Sequence, residues 1–507
     1  MNDRNEATKA ADISRREFLR NGSAAAGAAI ASTVIPQGLA EEVKGKRPNI
    51  VFFYTEGQRA DALSLAGNQI LKTPHQDRIG REGVYFNNSF CTNALCAPAR
   101  AVALTGLYSH TSGALDNHTE EPLPASIPIF TDLLHEAGYD VAMVGKAHAP
   151  NGVRERYWDY YFAFNAPATN YYAPRVFEGH KGVMGVEKTF RGTFRDQFPD
   201  NPAMDWTGVY ADDLFTDRAL DWLKEERDRP FCLLLWLQAP HAPFYRPRRH
   251  LNIYDGVPIP KPATFDDDLK GYPGKPRCFA DAQNKIGTIQ DGNCARSLEE
   301  VVKDYYAGIV AVDDNIGRVL SFLESSGQLD DTVVLHSSDH GFFLGEWRCY
   351  DKRFMHEPSI RTPAMIRYPK LFRAGTKVDE MILNLDFAPT LLELAGVSIP
   401  SAMQGKSLVN LAQGNGSQWR QDWLYEYFEY PGAPQVRPNR GVRTDRYKFI
   451  HYFVAPEEFE LYDLRTDPGE KVNLIGNPQY VELRLHLTHR LEQLRKDTGD
   501  GMRNVVT

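Results

Sequence analysis

The segment Cys96-Ala97-Pro98-Ala99-Arg100, running straight into Ala101 and Val102, carries the most chemistry in this chain. Pro98 suits a first helical turn, where its missing N–H costs nothing. Cys96 would then stand at the positive end of a short helix continuing through Val102-Ala103-Leu104, a place that favours an anion and lowers a thiol pKa. Taken alone, the motif reads as a small buried core filler; the rest of the chain decides otherwise. Glu56 follows one apolar run directly, Lys146 and His148 follow a second, His241 a third and Asp339-His340 a fourth, with Lys352 thirteen residues beyond Asp339. Individually these are a surface Lys-x-His, a turn and a solvated lysine. Their joint placement speaks against chance. In a doubly wound sheet, ligands bind outside the carboxyl ends of the strands, and groups placed there can converge with Cys96.

The elements that must position them alternate between apolar strands and amphipathic helices, which predicts an α/β fold with a doubly wound, mostly parallel sheet flanked by helices. Strands are expected at Asn49–Tyr54, Val141–Val144, Phe231–Leu237, Thr332–His336 and Ala364–Arg367. Helices are expected at Ile129–Ala137, Asp212–Glu226, Leu298–Ser325, Leu385–Ala395 and Tyr480–Lys496. Asn165–Asp205 and Pro243–Asn293 read as long insertion loops, and loops of that length usually build a binding site or lie over one. After Gly414-Asn415-Gly416-Ser417 the pattern turns to hairpin-like strands and one terminal helix, a smaller C-terminal α+β subdomain. The expected division is a leader over 1–40, a catalytic domain over 41–415 and the subdomain over 416–507.

With these motifs in place, the chain resembles the type I, formylglycine-dependent sulfatases. The resemblance runs in family order through Pro48-Asn49-Ile50-Val51-Phe52-Phe53, Arg59-Ala60-Asp61, Thr73-Pro74-His75, the Cys96 motif, Leu104-Thr105-Gly106, Gly145-Lys146-Ala147-His148, Ala239-Pro240-His241, Ser338-Asp339-His340-Gly341 and Leu461-Tyr462-Asp463-Leu464. It implies an alkaline-phosphatase-like fold and a sulfuric ester hydrolase. Cys96 would be oxidised to formylglycine by a formylglycine-generating or anaerobic sulfatase-maturating enzyme, and its hydrate would be the nucleophile, assisted by Arg100. Lys146 and Lys352 would hold sulfate oxygens, His241 would protonate the leaving oxygen, and His148 would take the second hydroxyl's proton to restore the aldehyde. Glu56, Asp339, His340 and residue 96 would hold a metal; the hard carboxylates argue for calcium, with magnesium as the alternative. Glu56-Gly57 departs from the family's usual pair of aspartates, so one ligand is lost or is replaced by water or Gln58.

Tyr85–Cys96, Tyr427–Tyr430 and Arg437–Thr444 resemble the N-acetylglucosamine-6-sulfatase-like branch. They imply a sulfated sugar or glycan as substrate, with Arg437, Asn439 and Arg440 near the pocket mouth; a plain strand pair with charged edges accounts for Val442–Lys448 equally well. Arg246, Arg248, Arg249 and His250 read either as a lure for a polyanionic glycan or as an ordinary solvated loop. The alternatives on the same fold are a phosphate or phosphonate monoester hydrolase and a sulfated-glycan-binding pseudoenzyme.

The chain carries a formal net charge of -8. Arg4, Lys9, Arg15, Arg16 and Arg20 against Asp3, Glu6, Asp12 and Glu17 give the first forty residues +1, leaving the remainder at -9. No basic stripe suggests nucleic acid, so an anionic substrate requires positive charge concentrated locally. Ser14-Arg15-Arg16-Glu17-Phe18-Leu19 ahead of the alanine-rich run Ala24–Ile35 reads as a twin-arginine signal handed to the Tat translocase, which predicts a periplasmic or secreted protein. That run is too short and small-residued for a permanent membrane anchor. Six cysteines in 507 residues make no disulfide framework, although Cys278 and Cys294 bracket a loop and are candidates to pair.

Overall fold

The computed structural model describes residues 47–501, apart from 119–121, 191–208, 268, 270–274, 284, 288–289, 292–293, 417 and 433. The leader therefore lies outside the described residues. So does the side chain of Cys294; Cys278 is a buried free thiol. No helix of the described residues is long and apolar enough to cross a membrane.

An 11-stranded sheet organises the chain. At its centre five strands run parallel in the order Thr332–Ser338, Asn49–Thr55, Phe231–Trp236, Asp140–Lys146 and Tyr160–Phe164. Asn49–Thr55 reads NIVFFYT, a continuous apolar run, because helices cover both of its faces. Ile50, Phe52 and Tyr54 face the layer holding Phe130–Glu136 and Phe387–Leu394. Val51 and Phe53 face Pro74–Arg81, Ala211–Leu223 and Leu298–Ser325. Truncating a fully buried ring such as Phe52 would cost about 3–5 kcal/mol. The long helix Leu298–Ser325 starts on a capping box: Ser297 Oγ accepts from the Glu300 N–H, and Glu300 accepts from the Ser297 N–H.

Parallel register aligns the strand ends that matter. Thr55 pairs with Ser338, Tyr54 with Trp236 and Lys146 with Phe164, so Glu56, Asp339, Lys146–His148 and the Gln238–His241 turn leave the same edge. The outer strands are mixed: Ala364–Arg367 lies antiparallel between Thr332–Ser338 and Val84–Phe90, and Thr376–Leu383 runs parallel to Val84–Phe90.

Two expectations change. Asn165–Asp205 is not wholly loop: Arg175–His180 and Val183–Thr189 form an antiparallel hairpin that extends the sheet. Its turn residues Lys181 and Gly182 both have positive φ, the geometry that matches strand twist in a tight hairpin. The helix expected from Leu385 begins at Phe387, after a 3-10 turn over Asn384–Asp386.

The C-terminal portion is an antiparallel sheet of Asp422–Tyr427, Asn439–Thr444, Tyr447–Tyr452 and Glu458–Asp463, followed by the helix Val481–Asp497. Leu487, Leu491 and Leu494 bury its inner stripe in a cluster that also holds Leu95, Val102 and Met355, so the small sheet shares a core with the Cys96 helix.

Candidate active site

Cys96 is the first residue of the helix Cys96–Thr105, whose every residue is buried, and Gly106 ends that helix at φ 65. Glu56 is the hub opposite it. Its Oε2 takes Lys146 Nζ at 2.7 Å and Arg100 Nη2 at 2.8 Å. Its Oε1 lies 2.8 Å from Cys96 Sγ, 3.3 Å from His340 Nε2, and 3.8 Å from both His241 Nε2 and Lys352 Nζ. One fully buried carboxylate thus touches six side chains, drawn from five separate stretches of sequence, that the motifs singled out.

Arg100 is held as firmly. It bonds Asp339 Oδ2 at 3.1 Å and the Lys146 carbonyl at 2.6 Å, and its guanidinium lies over the Tyr54 and Trp236 rings. Asp339 Oδ1 accepts the N–H groups of Gly57 (2.9 Å) and His340 (2.8 Å). His340 Nδ1 is 2.7 Å from the Gly341 carbonyl, so that nitrogen carries the proton and Nε2 faces Cys96 Sγ at 3.6 Å. Ligand atoms of Glu56, Cys96, Asp339 and His340 all lie within 4.8 Å of one another. Two carboxylates, an imidazole with its lone pair turned inward and an oxidisable cysteine fit a divalent cation.

The electrostatics follow from burial. Burial works to raise Glu56, but Lys146 and Arg100 overcome it and hold its carboxyl well below the usual range. Asp339 has the opposite balance: burial and the Glu56 charge push it up to about 7. Burial and Glu56 oppose ionisation of Cys96, yet Lys352, Lys146 and His148 hold its thiol well below its ordinary value. Burial would lower His340, but Asp339 pushes it up to about 9, so a cation binding at its Nε2 must displace a proton. His148 is pushed down to about 4, chiefly by burial, against an opposing interaction with Cys96; it sits at φ 30, and no group of the surrounding scaffold bonds either ring nitrogen. Burial, Lys146 and Lys352 together lower His241, whose Nδ1 faces the Ala242 carbonyl at 2.5 Å. Lys352 is raised: burial opposes this, but Cys96, Asp351 and Glu56 prevail.

The other sequence expectations fare differently. Gln58 does not replace a lost ligand; its amide turns away to Gln76 Oε1 (2.8 Å) and the Ala62 carbonyl (2.9 Å). The basic loop is neutralised internally, with Arg249 on Asp213 and Asp314, His250 on Asp314 and Arg246 on Asp304. Arg437 pairs with Glu458 at 3.2 Å, and the buried Arg440 pairs with Asp500 at 3.0 Å between the Phe428 and Phe453 rings, so both charges are already partnered within the C-terminal sheet region. Asn439 is fully buried beside them.

Sequence reasoning passed over the residues flanking Lys352. Asp351 Oδ1 lies 3.4 Å from Lys352 Nζ, and its other oxygen bonds Arg353, which reaches Glu429 at 3.3 Å. Glu429 also accepts the Asn117 N–H, and Asn117 Oδ1 accepts the Ala97 N–H beside Cys96 at 3.0 Å. Asp351 and Arg353 both have φ 87, a conformation non-glycine residues hold only where the surroundings impose it. Alternation of acid, base and base at 351–353 was the available signal.

The family described as Sulfatase matches residues 48–397, and N-sulphoglucosamine sulphohydrolase, C-terminal, matches 345–497. An N-acetylglucosamine-6-O-sulfatase of Bacteroides thetaiotaomicron is 33% identical across 90% of this chain and 88% of its own length. A multifunctional alkaline phosphatase superfamily protein, PehA of Trinickia caryophylli, is 28% identical across 86% and 93%. A protein solved in complex with its substrate, D-glucosamine-2-N,6-O-disulfate, superposes with TM-score 0.79 at 32% identity, covering 90% of this chain and 99% of that one. On the match across residues 48–397 and these relatives, the chain belongs to the sulfatase family and is a sulfuric ester hydrolase.

Proposed function

We propose that this sulfatase removes sulfate from a sulfated amino sugar, with the 6-O-sulfate of N-acetylglucosamine as the leading candidate. The observation that carries it is the charged cluster around Glu56, joined on one side by the Asp351–Arg353–Glu429 chain of ion pairs. Similarity to an N-acetylglucosamine-6-O-sulfatase and to a protein solved with a glucosamine disulfate supports the substrate class.

Three cationic side chains, Arg100, Lys146 and Lys352, face two carboxylates, Glu56 and Asp339, in a buried cluster with the partly exposed His241 and Asp351 at its edge. A divalent cation, held by Glu56, Asp339, His340 and residue 96, would supply further positive charge against the sulfate oxygens. Formylglycine made from Cys96 would supply the oxygen nucleophile that a thiol is not. Lys146 and Lys352, point charges on flexible stems, suit a tetrahedral oxyanion better than a flat guanidinium does. Arg100, fully buried, bonds both Glu56 and Asp339 and fixes the two carboxylates relative to each other. His241, with Nδ1 anchored on a carbonyl and Nε2 inward, donates to the leaving oxygen; the bound anion favours its protonated form. His148, buried and neutral, accepts a proton on the opposite task. Asp351 and Arg353 offer an acceptor and a planar donor fork to sugar hydroxyls. The leader's twin arginines support export of the mature enzyme to the periplasm or outside the cell, and the Cys96 motif supports maturation by a formylglycine-forming enzyme.

Sulfate release from 6-sulfated N-acetylglucosamine, set beside other sulfated sugars, aryl sulfates and matched phosphate esters, tests the reading. Preferred turnover of the 6-sulfated sugar is expected, with none after Cys96→Ala and an aldehyde in the peptide Ala94–Arg100. Faster turnover of phosphate esters, or undiminished activity after Cys96→Ala, refutes it.

A further inference from the structure

We propose that residues 164–172, which continue the strand Tyr160–Phe164 beyond the sheet, form a strap that positions both site imidazoles, with Tyr171 and Gln238 as positioning residues. The inference rests on His241 being the proton donor to the leaving alcohol.

One side of the strap grips the Lys146–His148 loop. The Phe164 carbonyl accepts the N–H groups of Ala147 (2.9 Å) and His148 (3.4 Å), Asn165 Oδ1 accepts that of Ala149 (2.9 Å), and the Pro167 carbonyl accepts Lys146 Nζ. The other side grips the Gln238–His241 turn. Thr169 exchanges two hydrogen bonds with the Gln238 amide, 2.7 and 2.8 Å, and the Tyr171 hydroxyl donates to the His241 carbonyl at 2.9 Å. Asp212 closes the arrangement from behind, accepting the Gln238 and Ala239 N–H groups at 2.9 Å each. Tyr171 itself is fully buried, stacked on Tyr210 at 5.2 Å.

Both imidazoles depend on this grip for their placement. No group of the surrounding scaffold bonds either ring nitrogen of His148, whose interaction is with the Cys96 side chain it serves, so its backbone and its packing locate it. His241 Nδ1 is anchored on the carbonyl of its own neighbour, which moves with it, while Nε2 is turned toward the reacting groups at Glu56 and Cys96. As the ester S–O bond breaks, its electron pair goes to the leaving oxygen, which takes the proton from His241 Nε2, while a new S–O bond would form to a hydroxyl of hydrated residue 96, whose proton would pass to Glu56, the carboxylate facing that side chain at 2.8 Å. Proton delivery of this kind tolerates little displacement, and about 1 Å is enough to cost on the order of 100-fold.

The test uses the matured enzyme and two substrates. The sugar 6-sulfate releases a poor leaving group that needs the proton; 4-nitrophenyl sulfate releases a good one that does not. Tyr171→Phe deletes one hydroxyl from a buried ring. It should lower kcat on the sugar sulfate about 10-fold, with KM unchanged and the aryl sulfate affected less than about 2-fold. Gln238→Met, which removes both bonds to Thr169, should repeat the pattern should Tyr171→Phe fold poorly. Tyr210→Phe deletes an equivalent buried bond, to the Tyr245 carbonyl at 2.9 Å, and should show no leaving-group dependence. His241→Ala serves as the reference. Equal loss on both substrates in folded Tyr171→Phe and Gln238→Met, or no loss at all, overturns the strap while a selective His241→Ala loss leaves the acid assignment standing. An unselective loss in His241→Ala overturns both.

Discussion

Replacing Gly57 with aspartate would, by sequence pattern, restore a second carboxylate to the cation site; the structure predicts weaker binding instead. Gly57 sits at φ 77, and a β-carbon there would meet His340 Cε1 at 3.4 Å and Phe342 Cδ2 at 3.3 Å. His340 cannot retreat without losing its 2.7 Å bond to the Gly341 carbonyl, and its ring is wholly buried. A left-handed conformation costs an L-residue about 1–2 kcal/mol, with aspartate at the lower end. The tight 3.3 Å approach to the Phe342 ring, with the imidazole alongside at 3.4 Å, adds about 1 kcal/mol for an off-rotamer ring. If that strain of about 2 kcal/mol is borne by the His340 ligand, affinity for a divalent cation falls roughly 30-fold. His340 thus occupies the room that a side chain at 57 would need, which makes the two positions a coupled pair. Calorimetric titration of the wild-type and Gly57→Asp proteins with calcium, magnesium and manganese measures this directly. The double variant Gly57→Asp/His340→Asn, with the crowding relieved, should bind calcium more tightly than Gly57→Asp alone, by a coupling of about 1 kcal/mol. Tighter calcium binding by the single variant, at an unchanged melting temperature, would show that a carboxylate reaches the cation past His340 and would refute the argument.

The His110–Glu426 pair, 2.6 Å apart and buried, makes stability pH-dependent. Burial would lower His110, but Glu426 pushes it up to about 9, and a raised histidine stabilises fully below its unfolded value and ceases to do so as pH rises through the folded one. The urea midpoint should therefore drop between pH 7 and pH 10 by the equivalent of about 2–3 kcal/mol, and His110→Gln should flatten that drop. Arg353→Lys, which replaces a planar fork with a point charge, should raise KM for the sugar sulfate about 10-fold with little change on an aryl sulfate; equal effects on both would deny Arg353 a sugar contact. Arg440→Ala leaves Asp500 buried and only partly compensated and should cost about 3 kcal/mol in thermal unfolding, with KM unaltered in the protein that remains folded; a KM change would return Arg440 to the pocket mouth.

What the sequence disclosed, and what it withheld, divides along the reach of the interactions. The Cys96 helix start is local: Pro98 in the first turn and Gly106 at the end declare it without reference to anything distant. The strand ends carrying Glu56, Lys146, His241 and Asp339 are legible too, because a parallel sheet presents its carboxyl ends along one edge and the apolar runs locate the strands. Reading a side chain's partner is another matter. Arg249 and His250 share the tripeptide of an exposed basic turn with Arg248, but Asp213 and Asp314 reach them from two helices that begin 37 residues before and 48 residues after it. Arg440 belongs to the sequence cue for a sugar pocket, yet Asp500 meets it from beyond the last helix. In both cases the charge was visible and its neutralisation was not, because the neutralising carboxylate is fixed by tertiary packing. The Asp351–Lys352–Arg353 run fails in the opposite sense: the lysine was picked out and its neighbours ignored, although two left-handed residues flanking it show that the loop is shaped to present all three. A single hub explains why the central site survives this difficulty. Six side chains need no pairwise foresight once each must meet the same carboxylate, and Glu56, longer by one methylene than an aspartate, is placed at a strand end from which Arg100, Lys146, His241, His340, Lys352 and Cys96 are all within reach.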